Sequence, residues 1–304
     1  MKLHNQNIRK SAVPLKLCDD FQNYLNYLRM RGLKDHTIGE HRRFLFGALS
    51  HSGIANKKIQ DLKLTDVANV IEAGKAHGEY GSQRAVITFR QYLRYLQENG
   101  VRLPFDWRDI KVPKVPEKEP PYMGVKEFNR FVKAIPLNNI CGLRTRALIE
   151  VLFASGMRIS EALSLNKEDI DWTKKEAKIK SAKGGDERIV YFTDRSLRWL
   201  KRYLKARKDD CPALFANQAG TGAMKRATAR NYLRKIRKEM GIKEHFTHHS
   251  FRRALATVLI EKGADIKSTQ YIMGHKSERT TLRYYAKVNK RKAKLVHRRL
   301  LSQI

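Results

Sequence analysis

Acidic charge is what this chain of 304 residues lacks most. It carries 30 aspartates and glutamates against 63 lysines and arginines, a formal net charge of +33. Such an excess repels itself in a compact fold unless a polyanion binds it, and nucleic acid is the partner it fits. A generically heat-adapted surface explains it poorly, because that raises acids and bases together. Cysteine is scarce as well. Cys18, Cys141 and Cys211 lie far apart, with no Cys-x-x-Cys pair and no zinc spacing. An odd, unpaired count fits a reducing compartment, so the expected location is the cytoplasm. No run of about 18 apolar residues occurs, and no membrane span or membrane partner is expected. The opening MKLHNQNIRKSAVPLK is basic but has no apolar signal core. There is no acidic cluster of the kind that holds two catalytic metals, so neither a metal nor a cofactor is expected.

With 41% hydrophobic residues the chain can bury real cores, and its length suits two domains. Residues 1–13 read as a basic arm. Residues 14–103 read as four short helices forming a small helical domain. The first carries Leu17, Phe21, Tyr24, Leu25 and Leu28. The second is capped by Thr37 and carries Phe44, Leu45 and Leu49. The third opens at Leu64-Thr65-Asp66, the fourth at Ser82. Arg42, Arg43, Arg84, Arg90 and Arg94 stud these helices and as a set are expected to meet phosphates, which position a domain without reading sequence. Residues 104–121 hold five of the eight prolines, which predicts an extended, fairly stiff connector.

Beyond it, helices are predicted over 124–134 and 144–155, the second ended by Gly156. Arg158 follows at the start of a short helix, where a guanidinium fork beside backbone N–H groups suits a phosphate. Its other reading is a surface arginine bridged to Glu161 three residues on. From Ile170 the period changes to that of strands: Trp172, then 177–180, then 188–192. Lys183-Gly184-Gly185-Asp186 is the hairpin turn between the last two. Basic helices follow over 197–208 and 228–240.

The stretch Thr247–Tyr285 holds the densest chemistry: a His-x-x-Arg (His249, Arg252), a Gly-His (Gly274, His275) and a tyrosine pair (Tyr284, Tyr285). These groups suit one task, holding a phosphodiester while a tyrosine attacks it. At a pKa near 10 roughly one tyrosine in a thousand is ionised at pH 7, which neighbouring arginines and a histidine base would correct. His249 and Arg252, three apart on a helix, share a face; Arg253 is expected to point elsewhere, and His248 competes with His249 for the histidine role.

His249-Ser250-Phe251-Arg252-Arg253, Met273-Gly274-His275 and Thr280-Thr281-Leu282-Arg283-Tyr284, with the upstream box Leu152–Leu163 around Arg158, resemble the tyrosine recombinases, the family of phage integrases and Xer-type recombinases. The nine positions from His275 to Tyr284 match Xer-like members and select Tyr284 over Tyr285. Much of the family has a histidine where Arg253 stands. The resemblance covers roughly residues 120–290 by motif. It implies a mainly α fold with a small antiparallel β-sheet in an α+β catalytic domain over 122–287, and an all-α core-binding domain, the two closing as a C-shaped clamp on DNA. It implies Tyr284 as nucleophile, Arg158, Arg252 and His275 on the phosphate, His249 handling the tyrosine proton, Lys183 as acid for the leaving 5′ oxygen (with Lys178 and Lys180 as rivals), and Glu161 orienting groups in the site. Lys225, Arg226, Arg230 and Arg234 become candidates for contact along a DNA groove. The implied partners are double-stranded DNA with specific recombination sites, a homo-tetramer on two such sites passing through a Holliday junction, and a partner recombinase or directionality factor. Residues 288–304, with Leu295, Val296, Leu300, Leu301 and Ile304, would dock on a neighbouring subunit. A type IB-like topoisomerase and a non-catalytic DNA-binding protein with a decayed site are the alternatives. Chromosome-dimer resolution and mobile-element integration stay open between them.

Overall fold

Helices carry most of this chain because its apolar residues recur every three to four positions over short stretches with tight connections. The computed structural model describes residues 16–115, 123–180, 187–242, 246–275, 277–278 and 281–282. The arm at 1–13, residues 116–121 of the connector, the turn with Lys183, Tyr284 and Tyr285, and the segment 288–304 lie outside the described residues. The chain divides into two units, Met1–Lys118 and Glu119–Ile304.

In the first unit, α1 (Phe21–Met30), α2 (Asp35–His51), α3 (Asp66–Lys75) and α4 (Gly81–Glu98) enclose one core. Tyr24, Leu25, Leu45, Leu49, Val70, Phe89, Tyr92 and Leu96 are all buried in it. Leu17 precedes α1 and is buried too; its carbonyl accepts the Tyr92 hydroxyl at 2.7 Å. Two starts differ from expectation. The second helix begins at Asp35, two residues before Thr37, because the carboxylate of Asp35 suits the positive end of the helix dipole. Ser82 is already inside α4, and its hydroxyl donates to the carbonyl of Ile71 at 2.6 Å.

The connector also differs. As far as Pro113 it is folded onto the first unit. Ile110 is buried, and Phe105, Trp107 and Val112 pack against the same core. Trp107 Nε1 donates to Gln97 at 3.0 Å, Gln83 Nε2 to the Pro113 carbonyl at 3.2 Å, and Asp106 caps a short turn by accepting the Arg108 N–H. The prolines break helix and sheet as expected, but the apolar residues between them outweigh any tendency to stay extended.

The second unit is built around α6 (Ile140–Ser155). This helix starts early, at Ile140, because Asn139 caps it by accepting the Gly142 N–H at 2.9 Å. It is buried nearly all round, as a helix at the centre of a core must be. Its buried charged groups are bonded: Arg146 and Arg195 both bond Glu150 (2.9 and 2.8 Å), and Arg144 donates to the Ala216 carbonyl at 2.7 Å. Around it lie α5 (Val125–Lys133), α7 (Ile159–Ser164), α8 (Asp194–Ala206), α9 (Arg226–Glu239), α10 (His248–Glu261) and α11 (Ile266–Met273). A three-stranded antiparallel sheet, β1 (Ile170–Asp171), β2 (Glu176–Lys180) and β3 (Glu187–Tyr191), packs on the same core. Trp172 falls in the turn after β1 rather than in a strand. Register pairs Ala177 with Val190 and Ile179 with Arg188. Among the described residues no helix is long and apolar enough to cross a membrane.

Candidate active site

Three chain reversals bring the motif residues together. The first is Gly156, at φ +63°, which ends α6 in the left-handed region where a β-carbon is disfavoured. Two residues later Arg158 stands at the N-cap of α7 in extended backbone. Glu161, in the first turn of α7, accepts the Arg158 N–H and its Nη1, both at 2.8 Å. Arg188 from β3 binds the same carboxylate, Nη2 at 2.9 Å and Nη1 at 3.3 Å. The Glu161 side chain is wholly buried. Burial alone would raise its pKa, but the bonds from Arg188 and Arg158 outweigh that and hold it below the usual carboxylate range. The surface-bridge reading of Arg158 therefore holds in part: the bridge exists, yet its carboxylate is internal and shared.

The second reversal is the start of α10. His248 and His249 open that helix, and Arg252 follows one turn in. Arg252 is 2% exposed. Its Nη1 donates to the carbonyl of Gly156 and its Nη2 to that of Met273. The third reversal is Gly274, at φ +57°, which ends α11 and delivers His275. Arg252 thus ties together the carboxyl ends of α6 and α11, the two turns from which Arg158 and His275 emerge. His275 Nδ1 lies 2.9 Å from the Thr281 hydroxyl, and its backbone bonds Gln270 on both sides.

Electrostatics confirm the grouping. The pKa of His275 is pushed down to about 4, by burial first, then by the charges of Arg252, Arg158, His249 and Arg188. His249 is exposed where it lines a cleft, yet enough protein surrounds it that burial is again the first cause of a pKa near 4, followed by Arg253, Arg252 and Arg158. A pKa near 4 leaves both imidazoles neutral at pH 7, each with one donor and one acceptor nitrogen. Arg253 does not point away. Residues four apart on a helix share a face, and its charge is felt at His249. His248 is buried beside Arg226.

The cleft measures about 620 Å³. Arg158, Thr247, His248 and His249 line one side. Arg226, Arg230, Arg234 and Arg237 of α9 line the other. Their spacing of four, four and three puts all four on one helix face. Lys225 is exposed at the N-cap of α9, outside the lining. Arg90 and Arg94 gather over Trp107 (5.4 and 5.8 Å), Arg94 also bonding Glu98 at 2.8 Å. Arg84 faces α2 through Glu40, at 3.9 Å. Arg43 lies over Phe44, and Arg42 is exposed. Lys178, a rival of Lys183, faces outward in an ion pair with Glu187. Sequence reading missed Arg188 and Arg237. A signal for Arg188 existed: it falls in phase with the buried Val190 and Phe192, where a strand should turn an apolar residue inward.

The phage integrase family model matches residues 122–292. A tyrosine recombinase XerD of Neisseria meningitidis serogroup B is 31% identical over 267 residues, spanning 84% of this chain and 88% of that protein. Among solved structures, a XerH site-specific recombinase bound to a palindromic difH substrate, a post-cleavage complex, superposes with a TM-score of 0.72 at 21% identity, covering 90% of this chain and 82% of that one. A lambda integrase tetramer bound to a Holliday junction gives 0.73 at 18% identity, covering 87% and 78%.

Proposed function

Because this chain belongs to the phage integrase family, whose model spans residues 122–292, we propose that it is a site-specific tyrosine recombinase of the Xer kind. It breaks and rejoins DNA without an external energy source, since the phosphotyrosyl bond conserves the energy of the phosphodiester. The hydroxyl of Tyr284 attacks the scissile phosphorus. The new bond joins tyrosine oxygen to phosphorus, the bond to the 5′ oxygen breaks, and a 3′-phosphotyrosyl link and a free 5′ hydroxyl result. The tyrosine proton passes to neutral His249, and Lys183 supplies one to the leaving oxygen. Arg158, Arg252 and the N–H of His275 face the non-bridging oxygens, where charge gathers during attack. One such donor is worth about 3–4 kcal/mol of transition-state stabilisation, on the order of 10²–10³ in rate.

The reading is carried by one observation. The two backbone bonds of Arg252 gather the Arg158 turn and the His275 turn about a single point. The cleft beside it, walled by α9, suits a DNA backbone, and Arg226, Arg230 and Arg234 are its proposed contacts. Arg42, Arg43, Arg84, Arg90, Arg94 and Lys225 would add phosphate contacts outside it. The lambda integrase neighbour, a tetramer on a Holliday junction, supports a homo-tetramer acting on two sites here, with residues 288–304 as the segment passed between subunits. A partner recombinase or directionality factor, and action in the cytoplasm, complete the proposal. The XerD relative favours this reading over a monomeric topoisomerase or a decayed DNA-binding protein.

The test is cleavage of nicked suicide substrates, carrying candidate sites from DNA around the protein's own gene, in the presence of EDTA. Wild type should give a covalent protein–DNA band and Tyr284→Phe none, with DNA binding kept. A band from Tyr284→Phe, or its loss through Tyr285→Phe alone, would overturn the assignment.

A further inference from the structure

We propose that Arg188 is a positioning residue for the scissile phosphate, acting through Glu161 on Arg158 and through Gly274 on His275. The inference rests on the recombinase reading above and adds a residue to it. In β3, Arg188 pairs with Ile179 and shares the inward face of Val190 and Phe192. Its side chain is 10% exposed. A guanidinium taken that far from water needs a charged partner, and Glu161 provides it with two bonds. The same carboxylate holds Arg158.

The other edge of Arg188 lies against the turn that delivers His275. A β-carbon on Gly274 would sit 2.6 Å from both Cζ and Nε of Arg188 and 2.8 Å from its Cδ. Glycine suits 274 on two counts: its φ of +57° favours it, and a β-carbon there would push the Arg188 side chain aside. Nε of Arg188 is buried and has no hydrogen-bond partner among the described residues. Stabilising Glu161 alone would require no such contact.

Charge explains the arrangement. One carboxylate shared between two guanidiniums leaves a net positive charge beside His275, ready for a phosphate. With Arg188 removed, Glu161 is left to Arg158 alone; it neutralises that arginine and draws it back from the substrate. The defect should therefore be one of phosphate charge, not of fold or of leaving-group protonation.

The experiment measures covalent adduct formation on preformed complexes for wild type, Arg188→Met and Arg188→Lys. Three scissile linkages are compared: an ordinary phosphodiester, a neutral methylphosphonate in each stereoisomer, and a 5′-bridging phosphorothiolate, whose sulfur leaves without a proton. Arg188→Met should bind its site within about threefold of wild type and cleave the phosphodiester about 10²-fold more slowly, the scale of a lost oxyanion donor. On at least one methylphosphonate isomer the deficit should shrink to within about fivefold. On the phosphorothiolate it should persist. Arg188→Lys, which keeps the charge on Glu161 without the fork, should fall between; it also replaces the methionine variant if that one fails to bind DNA. Equal deficits on phosphodiester and methylphosphonate, or recovery on the phosphorothiolate, would overturn the assignment while leaving the recombinase reading intact. A wild type that forms no adduct on any linkage would overturn both.

Discussion

Replacing Arg252 by lysine separates the tether that the structure shows from the catalytic duty proposed above. As a tether, its guanidinium fork satisfies the carbonyls of Gly156 and Met273. As the proposed catalytic donor, it would also face the phosphate. Lysine keeps the charge, but its shorter stem and single nitrogen lack the planar fork that spans the two carbonyls, so one of them is expected to lose its bond. A buried carbonyl left unpaired costs about 1–3 kcal/mol. For a unit the size of Glu119–Ile304, 1 kcal/mol shifts the melting temperature by about 2–4 °C, so the middle of that range gives a fall of about 4–8 °C. This loss needs no DNA and is read by calorimetry on the free protein. Adduct formation on preformed complexes should separately fall about 10²–10³-fold. An unchanged melting temperature would show that the carbonyl bonds hold nothing together. A lowered one with full cleavage would remove Arg252 from the phosphate.

Two further outcomes are expected. His248 is buried and its pKa is pushed down to about 4, by burial first and then by Arg226. Between pH 6.5 and 4 the unfolded chain takes up a proton that the native state refuses, so stability falls as pH drops through that window, by up to about 3 kcal/mol. Urea midpoints from pH 7 to 4.5 should show that slope added to those of His249 and His275, whose pKa values are also near 4, and His248→Gln should remove about one proton's share of it; an equal slope in the variant would refute the cause. Arg230→Gln and Arg234→Gln should each weaken binding alike on specific and unrelated duplexes and lower the slope of log affinity against log salt by about one. Weakening confined to one sequence would instead make them base readers.

What the sequence made legible was local. Gly156 and Gly274 end helices where their neighbours demand a reversal, and His249 and Arg252 declare a shared face by their spacing. The buried frame behind them was not legible, because it depends on partners far apart in the chain. Glu161 shows its tie to Arg158 three residues away but not its tie to Arg188, twenty-seven away. Arg188 reveals itself only once the strand register is known. Arg253 was misjudged because a face was counted at three residues and not also at four. In the connector, proline was read as rigidity, and the burial of Ile110 and the packing of Trp107 went unseen. Tyr284 and Lys183 rest on motif alone, since both lie outside the described residues.

The arginine face of α9 has a consequence for the protein when it holds no DNA. Arg226, Arg230 and Arg234 stand one turn apart, about 6 Å along the axis, with Arg158 also on the cleft and no acid among the described residues lining it. That separation is shorter than the screening length at 0.1 M salt, about 10 Å, and longer than the length of about 3 Å at 1 M. Salt therefore acts on the two states with opposite sign: it relieves repulsion in the free enzyme and loosens the complex. The empty cleft behaves as an anion exchanger built into the fold, and any polyanion that fills it will mask, by stabilising the native state, the strain that the enzyme carries while it searches for its site.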